Sequence, residues 1–376
     1  MMDTSSTSLG KAVPRSAGGE EARARAVLGA YVTGRDNNYN LIRVLAASAV
    51  LLSHCYTVAS GDSSIEPLRN LLGMSIGDIA VDIFFFASGL LVTGSLCNRA
   101  SVPSFVRARA LRIYPGLIVA VSFTVLIVGP LFTSLPLRAY FGSGETLLYW
   151  LRNVTLITNV AHVLPGVFKG NPWPWSVNSS IWTLPYEISM YGILAVFGLS
   201  LGLRSARFAT RLLAAAIALS VFALMLHFLS DILWRQSALP RLTAMFWIGV
   251  TFYLLRDRIR LSAKVAAVFA ALLAISILDK RAFLIVYTLS IPYLTICTAY
   301  LPAGFLRRYN RIGDYSYGIY IYSFPVQQCV AAVEPGISVV GMCIQSILIT
   351  GTLAAASWHF VESPMLRLKF GTAKVH

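Results

Sequence analysis

The 376-residue chain is 56% hydrophobic and only 12% charged, and its formal net charge is +15. Soluble domains carry about twice that charged fraction, so the composition excludes an ordinary soluble globular protein. The apolar runs are too continuous for the alternating pattern of a membrane β-barrel. The basic residues lie between those runs and form no aromatic-rich stripe, so no nucleic-acid partner is expected. We therefore predict an all-α polytopic membrane protein, because helices satisfy their own backbone groups in lipid.

The chain begins with a polar segment, residues 1–37, that is rich in Ser, Gly and Arg. It lacks the apolar core of a signal peptide and is predicted to be a disordered cytoplasmic tail. Residues 38–367 are predicted to form the transmembrane domain, and residues 368–376 a short cytoplasmic tail.

A bilayer-spanning helix needs about 20 mostly apolar residues. About ten such helices are predicted, near 39–58, 77–97, 113–131, 181–201, 211–229, 242–256, 262–279, 282–300, 315–333 and 338–360. The stretch 145–164 is apolar but is interrupted by Arg152, Asn153, Asn159 and His162. It predicts either a half-span or an interfacial helix on the outer side.

The charges between the spans give the orientation. With the N-terminus inside, 22 of the 31 Lys and Arg residues fall in inner segments and 8 in outer segments. The positive-inside rule then places both termini in the cytoplasm, with an even number of spans. The sequence shows no internal repeat, which weakens the interpretation of the chain as an inverted-repeat transporter.

Ionisable groups within spans are costly and usually functional. Four of those in the predicted spans stand out: Arg43, His54, Asp82 and Glu187. Arg43 and His54 are eleven residues apart, so they share one helix face at about 16 Å along the axis. His54, Asp82 and Glu187 are predicted at similar depth in the outer half of the membrane. A carboxylate there would orient His54 as a general base. Helix packing and capping are the structural alternatives for the same residues.

Arg109 and Arg112 lie at the inner mouth of the third span. Arginines at i and i+3 present two guanidinium groups on one helix face, an arrangement that suits a phosphate. Plain positive-inside anchoring is the alternative. Phosphate-binding groups inside and an acid–base cluster outside fit acyl-coenzyme A, with its head at the arginines and its thioester at His54. An acceptor hydroxyl would arrive from the outer side.

Six motifs occur in this order along residues 38–367. They are Asn40-Leu-Ile-Arg43 with the Arg-x10-His spacing to His54, Asp82-Ile-Phe-Phe-Phe-Ala-Ser88-Gly89, Arg107-Ala-Arg109-Ala-Leu-Arg112-Ile-Tyr114-Pro115, Ile181-Trp182-Thr-Leu-Pro-Tyr-Glu187, Gly313-Asp-Tyr-Ser316-Tyr317-Gly318-Ile-Tyr320 and Phe360-Val-Glu362-Ser-Pro364. Together they resemble the acyltransferase 3 family of membrane O-acyltransferases. That family acylates bacterial surface and secreted glycans and includes Nod-factor acetyltransferases.

The resemblance implies transfer of an acyl group, expected to be acetyl, from cytoplasmic acyl-CoA to a carbohydrate hydroxyl. The acceptor would be an exopolysaccharide, an O-antigen or another surface glycan, and the location the bacterial inner membrane. No metal is expected. Glycan-assembly machinery or a second copy of the chain are the expected protein partners, besides membrane lipid.

The same resemblance assigns residue roles. It implies that His54 is the catalytic histidine and Arg43 its partner, and Glu187 matches an acidic residue of the family. It implies acyl-CoA contact by the Arg-x-x-Arg motif and its neighbours, which are Arg107, Arg109, Arg112 and Tyr114. Two departures stand out: Ser323 occupies a position where the family usually has His, and Pro185 lies in the fourth-span motif, where it is expected to kink the helix.

Several alternatives stay open at the level of sequence. The acyl group could pass directly to the acceptor or through an acyl-His54 intermediate. The five cysteines, in or at the ends of apolar runs and without paired spacing, are expected to be ordinary buried thiols. Trp173 and Trp175 in the outer loop 132–180 suit either sugar stacking or interfacial anchoring. A transporter or flippase that uses the in-span His and carboxylates as a proton relay is the rival class.

Overall fold

The computed structural model of the protein describes residues 27–32, 34, 36–98, 101–201, 207–232 and 238–368. Its ten longest helices are α1 (Tyr39–Ser60), α2 (Ile76–Cys97), α3 (Val102–Phe123), α4 (Leu184–Leu201), α5 (Phe208–Ile232), α6 (Ala238–Leu254), α7 (Ala263–Ser276), α8 (Lys280–Tyr300), α9 (Ser316–Val333) and α10 (Val339–Ser357). Shorter helices and helical turns lie at Leu28–Val32, Ser63–Ile65, Pro67–Leu72, Thr124–Val128, Gly129–Phe132, Leu137–Gly142, Gly144–Thr155, Ser180–Thr183, Gly304–Arg311, Trp358–Glu362 and Ser363–Arg367. The described residues contain no β-strand.

The helices carry the apolar surface expected of a membrane protein. Each predicted span overlaps one of the ten helices. Seven helical segments of the described chain are long and apolar enough to cross a bilayer, and α6 and α7 are shorter apolar helices. Many large apolar side chains are exposed, among them Leu131 and Phe222. The predicted fold class, an all-α polytopic membrane protein, is confirmed.

The predicted N-terminal tail, residues 1–37, is partly ordered. Leu28–Val32 forms a short helix, and Leu28 is fully buried. The backbone N–H of Leu28 donates to Ile259 O at 2.8 Å, which ties this helix to the segment after α6. The prediction of disorder is therefore wrong for these residues. Residues 1–26, with four of the counted basic side chains, lie outside the described part, as do 369–376 of the predicted C-terminal tail.

Helices α1, α3 and α9 begin at one end of the bundle. Asp314, just before α9, pairs with Arg43 near the start of α1 and with Arg112 in the first half of α3. We call this end the basic end, because the arginines of segments 256–260 and 307–311 flank it. The other end of the bundle, near the end of α1 and the start of α2, is called the opposite end.

Two glycines allow α2 and α6 to pack with almost no side chain between them. A Cβ added at Gly89 would lie 1.9 Å from Phe246 O, and one added at Gly249 would lie 2.2 Å from Phe86 O. Only glycine permits such a close approach of two backbones. The two helices therefore run side by side from the opposite end to the basic end.

Helix α9 lies inside the bundle and carries polar side chains that are fully buried. Gln327 donates to Leu51 O at 2.8 Å, and Gln328 donates to Trp173 O at 2.7 Å and to Ser176 O at 2.6 Å. These bonds satisfy the amides away from water. They hold α9 against α1 on one side and against the loop after Gly144–Thr155 on the other.

The segment predicted as a half-span or an interfacial helix is a half-span. Its helix Gly144–Thr155 runs beside α3 in the reverse direction. Trp150 donates to Ser122 Oγ at 3.0 Å, and Tyr114 donates to Thr155 O at 3.2 Å, so the helix descends to the middle of α3. The chain then returns to the opposite end, where the backbone N–H of Ser134 donates to Gly166 O.

A second descent follows, now along α9. Asn171 donates to Gln328 O at 2.8 Å, Asn178 to Ile321 O at 3.0 Å, and Thr183 bonds the Tyr320 hydroxyl at 2.6 Å. The contacts thus move toward the basic end as the chain advances. Helix α4 consequently begins inside the bundle, and its first turn lies well away from the opposite end.

Candidate functional site

A cavity of about 700 Å³ opens among the helices toward the basic end. We call it the arginine cavity, because Arg43 from α1 and Arg109 and Arg112 from α3 line it. Its remaining walls come from α2, α3, the turn Ser180–Thr183, the first half of α4, and α9. They are Val81, Phe84, Phe85, Ser88, Ile113, Thr183, Leu184, Glu187, Tyr191, Ser316, Tyr317 and Tyr320. Arg43, predicted as the catalytic partner of His54, thus lines the same cavity as Arg109 and Arg112, the predicted acyl-CoA contacts, and not the cavity of His54.

Asp314 connects two of these arginines. Its Oδ2 accepts from Arg43 Nη1 at 2.8 Å and from Arg112 Nη2 at 2.6 Å, and its Oδ1 accepts from the Ser316 hydroxyl. Burial by itself raises the pKa of Asp314, but the charges of Arg112 and Arg43 and the bonds from Ser316 outweigh it and hold that pKa at about 2. Asp314 is therefore a fixed anion that sets the positions of both guanidinium groups.

Arg112 has a second anionic partner in Glu362, at 3.8 Å. Glu362 is 2% exposed and also accepts from the Ser357 hydroxyl at 2.9 Å. It lies in the π-helical turn Trp358–Glu362, where one extra backbone residue re-aims the side chains. The last of the six motifs thus supplies a second carboxylate to Arg112, at Nη1, while Asp314 binds Nη2.

Glu187 lies at a different depth from the one predicted. It accepts from Ser88 Oγ at 2.9 Å and from the Tyr191 hydroxyl, and it lines the arginine cavity. Ser88 is in the middle of α2, so Glu187 is not level with His54. The depth prediction was wrong because it assumed that the fourth helix starts at the membrane surface, whereas the chain first descends along α9.

A second cavity of about 620 Å³ lies nearer the opposite end. We call it the histidine cavity, because His54 lines it together with polar side chains of several helices. Its walls are Val50, Ser53, His54, Thr57, Arg69, Ser75, Gly77, Asp78, Val81, Ser180, Trp182, Arg241 and Tyr320. The His54 ring packs edge-on against Phe324 with 5.1 Å between ring centroids. Its Nδ1 is buried and has no hydrogen-bond partner among the described protein groups.

The carboxylate that shares this cavity with His54 is Asp78. Its Oδ2 accepts from Ser75 N at 2.9 Å and from Arg69 at 3.3 Å, and its Oδ1 accepts from Arg241 Nη2 at 3.2 Å. Ser53, next to His54, lies 3.0 Å from where a Cβ of Gly77 would stand, so α1 and α2 are in close contact here. His54 and Asp78 follow the two residues of this contact, and both line the histidine cavity.

Asp82, the carboxylate predicted to orient His54, faces another way. It is fully buried, pairs with Arg241 Nε at 3.0 Å and accepts from the Tyr287 hydroxyl at 2.9 Å. It lines neither cavity. Its contacts make it the anchor of Arg241, which reaches from Asp82 to Asp78. Sequence reasoning missed Arg241 because it stands one residue before the predicted sixth span and was counted among the outer charges.

Two residues of the predicted acyl-CoA contact lie apart from the arginine cavity. Arg107 is exposed and donates to Leu368 O at 3.1 Å. Tyr114 faces the half-span helix through its bond to Thr155 O. The reason is helical geometry, because Arg107 and Tyr114 stand two residues from Arg109 and Arg112, and such neighbours point about 200° apart. Their assignment to acyl-CoA binding stays a prediction that the geometry does not favour.

The two residues at which the chain departs from the expected motifs, Ser323 and Pro185, occupy packing positions in the fold. Ser323 is fully buried and lies 3.5 Å from the Ser180 hydroxyl. Pro185 is the second residue of α4, directly after the turn Ser180–Thr183, a position at which a helix tolerates proline. Cys55 is buried and accepts from Gln327 at 3.2 Å. Cys97 is exposed, contrary to the expectation of buried thiols. In the described chain no group of three or more His, Cys, Asp or Glu residues could hold a metal.

The two cavities are stacked along the helices and share Val81 and Tyr320 in their walls. An apolar helical bundle of this composition, with seven helical segments of the described chain long enough to cross a bilayer, defines a multi-pass integral membrane protein. A family model described as an acyltransferase domain matches residues 36–360. The chain belongs to this acyltransferase 3 family, and it is a membrane acyltransferase. Membership favours an enzyme over a transporter or flippase.

Two curated relatives match the chain along nearly their whole length. One is an O-acetyl transferase of Shigella phage Sf6, which is 27% identical over 344 residues and aligns with 88% of this chain and 96% of its own. The other is Nodulation protein 10 of Rhizobium leguminosarum bv. viciae, 27% identical over 374 residues, with 90% and 95% covered. No solved structure matches the chain.

Proposed function

We propose that this acyltransferase moves an acetyl group from acetyl-CoA to a hydroxyl of a carbohydrate, with the chemistry at His54. The observation that carries the proposal is the stacking of the two cavities, which join a cluster of arginines to a polar cavity around a buried imidazole. The relative named O-acetyl transferase supports acetyl as the group transferred and oxygen as its acceptor.

The arginine cavity is suited to the phosphates of the acyl donor. Arg43 and Arg112 each use part of the guanidinium on Asp314, and a guanidinium has five N–H donors. Donors therefore remain for phosphate oxygens, and Arg109 adds a third guanidinium at the same cavity. Bidentate binding of phosphate by arginine is strong and directional. The basic end would then face the cytoplasm, where acyl-CoA is found.

At the histidine cavity the acceptor hydroxyl oxygen attacks the thioester carbonyl while His54 takes up the hydroxyl proton. The tetrahedral intermediate collapses, the C–S bond breaks, and the proton passes from His54 to the departing sulfur. The products are an O-acyl ester and the free thiol of CoA. Asp78, at the wall of the same cavity, favours the charged imidazolium that forms in this step. Arg241 or Arg69 would stabilise the oxyanion.

The acceptor would enter from the opposite end. Thr57, near the end of α1, lines the histidine cavity on that side, Trp182 lines it at greater depth, and Trp175 in the loop before Trp182 is 70% exposed. Flat indole rings with polar neighbours suit the stacking of a sugar ring. A carbohydrate hydroxyl on a surface or secreted glycan is therefore the proposed acceptor.

The test uses the full-length protein in membrane vesicles with radiolabelled acetyl-CoA and the glycans of the expression host as acceptors. His54→Ala should lower label transfer by about 10²–10⁴-fold, the usual contribution of a general base. The stabilisation of the purified variant by acetyl-CoA in a thermal-shift assay should persist, because the arginine cavity is intact. Wild-type turnover in folded His54→Ala would rule out the mechanism.

A second arm addresses the acyl donor. Arg109→Ala combined with Arg112→Ala should remove the thermal stabilisation by acetyl-CoA. Arg107→Ala is the matched control, since Arg107 is on the same helix but is exposed and away from the cavity. Equal stabilisation of the double variant and the control would leave Arg109 and Arg112 as topology anchors only.

A further inference from the structure

Two residues, Val81 of α2 and Tyr320 of α9, belong to the walls of both cavities. We propose that Val81 and Tyr320 form a partition through which the acyl group passes to His54, an inference that rests on the proposed function. This partition limits transfer to short, uncharged acyl groups.

The register of α2 places Val81 at the boundary. Asp78, Val81, Phe85 and Ser88 follow one another at intervals of three and four residues, so they share one face of the helix. Asp78 lines only the histidine cavity, whereas Phe85 and Ser88 line only the arginine cavity. One helix face thus lines both cavities in succession, and Val81 is its residue at the junction.

Tyr320 closes the partition from the other side and is held in place. Its hydroxyl bonds Thr183 at 2.6 Å, and its ring meets Phe84 edge-on, with 6.1 Å between centroids. Val81 and Tyr320 are each only 8% exposed. The partition is therefore built from two largely buried side chains on different helices, and the bond to Thr183 holds one of them in position.

The chemistry of the partition predicts which acyl groups pass. A thioester whose CoA head is bound by the arginines must bring its carbonyl past Val81 and the Tyr320 ring to meet His54. An acyl group that carries a carboxylate would lose its hydration at the partition, and neither Val81 nor Tyr320 is a cation that could pair with it. Removing an unpaired charge from water costs free energy. A longer alkyl chain requires space that the packed pair does not give. One methylene in an apolar pocket commonly changes discrimination by about 10- to 200-fold.

The experiment measures transfer from acetyl-, butyryl- and succinyl-CoA to host glycans in the same vesicle assay. Val81→Ala should raise the butyryl-to-acetyl transfer ratio by about tenfold or more. Val92→Ala is the matched control, because Val92 is a valine of the same helix, is 1% exposed and lines neither cavity. The control should keep the wild-type ratio. Succinyl transfer should stay far below acetyl transfer in the wild-type protein.

A second variant covers the case in which Val81→Ala does not fold. Val81→Leu adds volume, and it should lower acetyl transfer about tenfold while the thermal stabilisation by acetyl-CoA is kept. Unchanged acyl ratios and unchanged acetyl transfer in the folded Val81 variants, or equal shifts in Val92→Ala, would overturn the partition. Wild-type succinyl transfer as fast as acetyl transfer would overturn its charge selectivity. If the wild-type protein showed no His54-dependent transfer from any acyl-CoA, the proposed function would fail instead.

Discussion

At the scale of single residues, Asp314 explains how two of the three arginines around one cavity can stand close together inside an apolar bundle. Like charges at close range destabilise a fold, and a buried charge without a partner is costly. Asp314 offsets both effects because one of its oxygens accepts from Arg43 and from Arg112. The residue came to notice in the sequence only as part of a motif, since its partners are 271 and 202 residues away.

The depressed pKa of Asp314 gives a prediction about stability and pH. Its pKa is about 2 in the fold and 3.8 ordinarily, a difference worth about 2 kcal/mol. Because the folded pKa is lowered, the stabilisation is present above pH 3.8 and is lost as the pH falls toward 2. Asp314→Asn should therefore lower the unfolding temperature at pH 6, and by less at pH 3, in thermal unfolding of the purified protein.

Asp257→Asn is the control for this experiment. The side chain of Asp257 is 74% exposed and lies 3.9 Å from Arg256, so its ion pair is weak and screened by solvent. It should unfold like the wild-type protein at both pH values. A difference between Asp314→Asn and the wild-type protein that stayed constant from pH 6 to pH 3 would contradict the assignment of the effect to the charge of Asp314.

The sequence could place residues within one helix but not across helices, for identifiable reasons. Arg43 and His54 are on one helix, so a rotation of 100° per residue predicts one face for both. They line different cavities because eleven residues of helix separate them. Glu187 and Asp82 depend on how separate helices meet. Glu187 is deeper than predicted because its helix starts inside the bundle, and Asp82 turns to Arg241, which hydropathy assigned to a loop.

At the scale of helices, the pairing of α2 with α6 determines the position of Arg241. The glycine contacts at Gly89 and Gly249 bring the two backbones together in the middle of the pair. Further along toward the opposite end, the same pairing brings Arg241 within reach of Asp78 and Asp82. A change at the glycines should therefore alter a charged cluster about two helical turns away.

Gly89→Ala and Gly249→Ala test this pairing. Each added Cβ would meet backbone atoms at 1.9 and 2.2 Å, respectively, and backbone cannot move aside as a flexible side chain can. We expect each variant to lose about 1–3 kcal/mol of stability or more through overpacking. Gly192→Ala is the control, because nothing lies within 4 Å of its added Cβ. Unfolding temperatures that are equal in all three variants would contradict the close pairing.

Hydropathy alone predicted helices at all ten positions, because an apolar run long enough for the bilayer leaves little choice of structure. It could not give the path of residues 144–183. That segment descends twice, and its course is set by side-chain amides such as Asn171 and Asn178 that bond α9. Such long-range bonds have no periodicity in the sequence. The same is true of the buried Gln328, which accepts from and donates to this segment.

At the scale of the whole molecule, the two cavities distinguish one end of the protein from the other and so relate the proposed function to its orientation in the bilayer. The arginine cavity is near the basic end and the histidine cavity nearer the other. The proposed reaction needs the basic end on the side where acyl-CoA is made, and the count of charges between spans independently predicts that this end is cytoplasmic. The charge pattern and the proposed chemistry therefore predict the same orientation in the membrane, so one measurement of that orientation tests both.

Thiol labelling in intact cells tests that orientation. Cys97 is exposed at the basic end, where α2 finishes, and Ser64 is exposed in the short loop between α1 and α2 at the opposite end. A membrane-impermeant maleimide should label Ser64→Cys in a Cys97→Ser background without permeabilisation. It should label Cys97 of the wild-type protein only after permeabilisation. The Cys97→Ser background alone corrects for the other four cysteines. Labelling of Cys97 from outside would reverse the orientation, and the arginine cavity would then face away from cytoplasmic acyl-CoA.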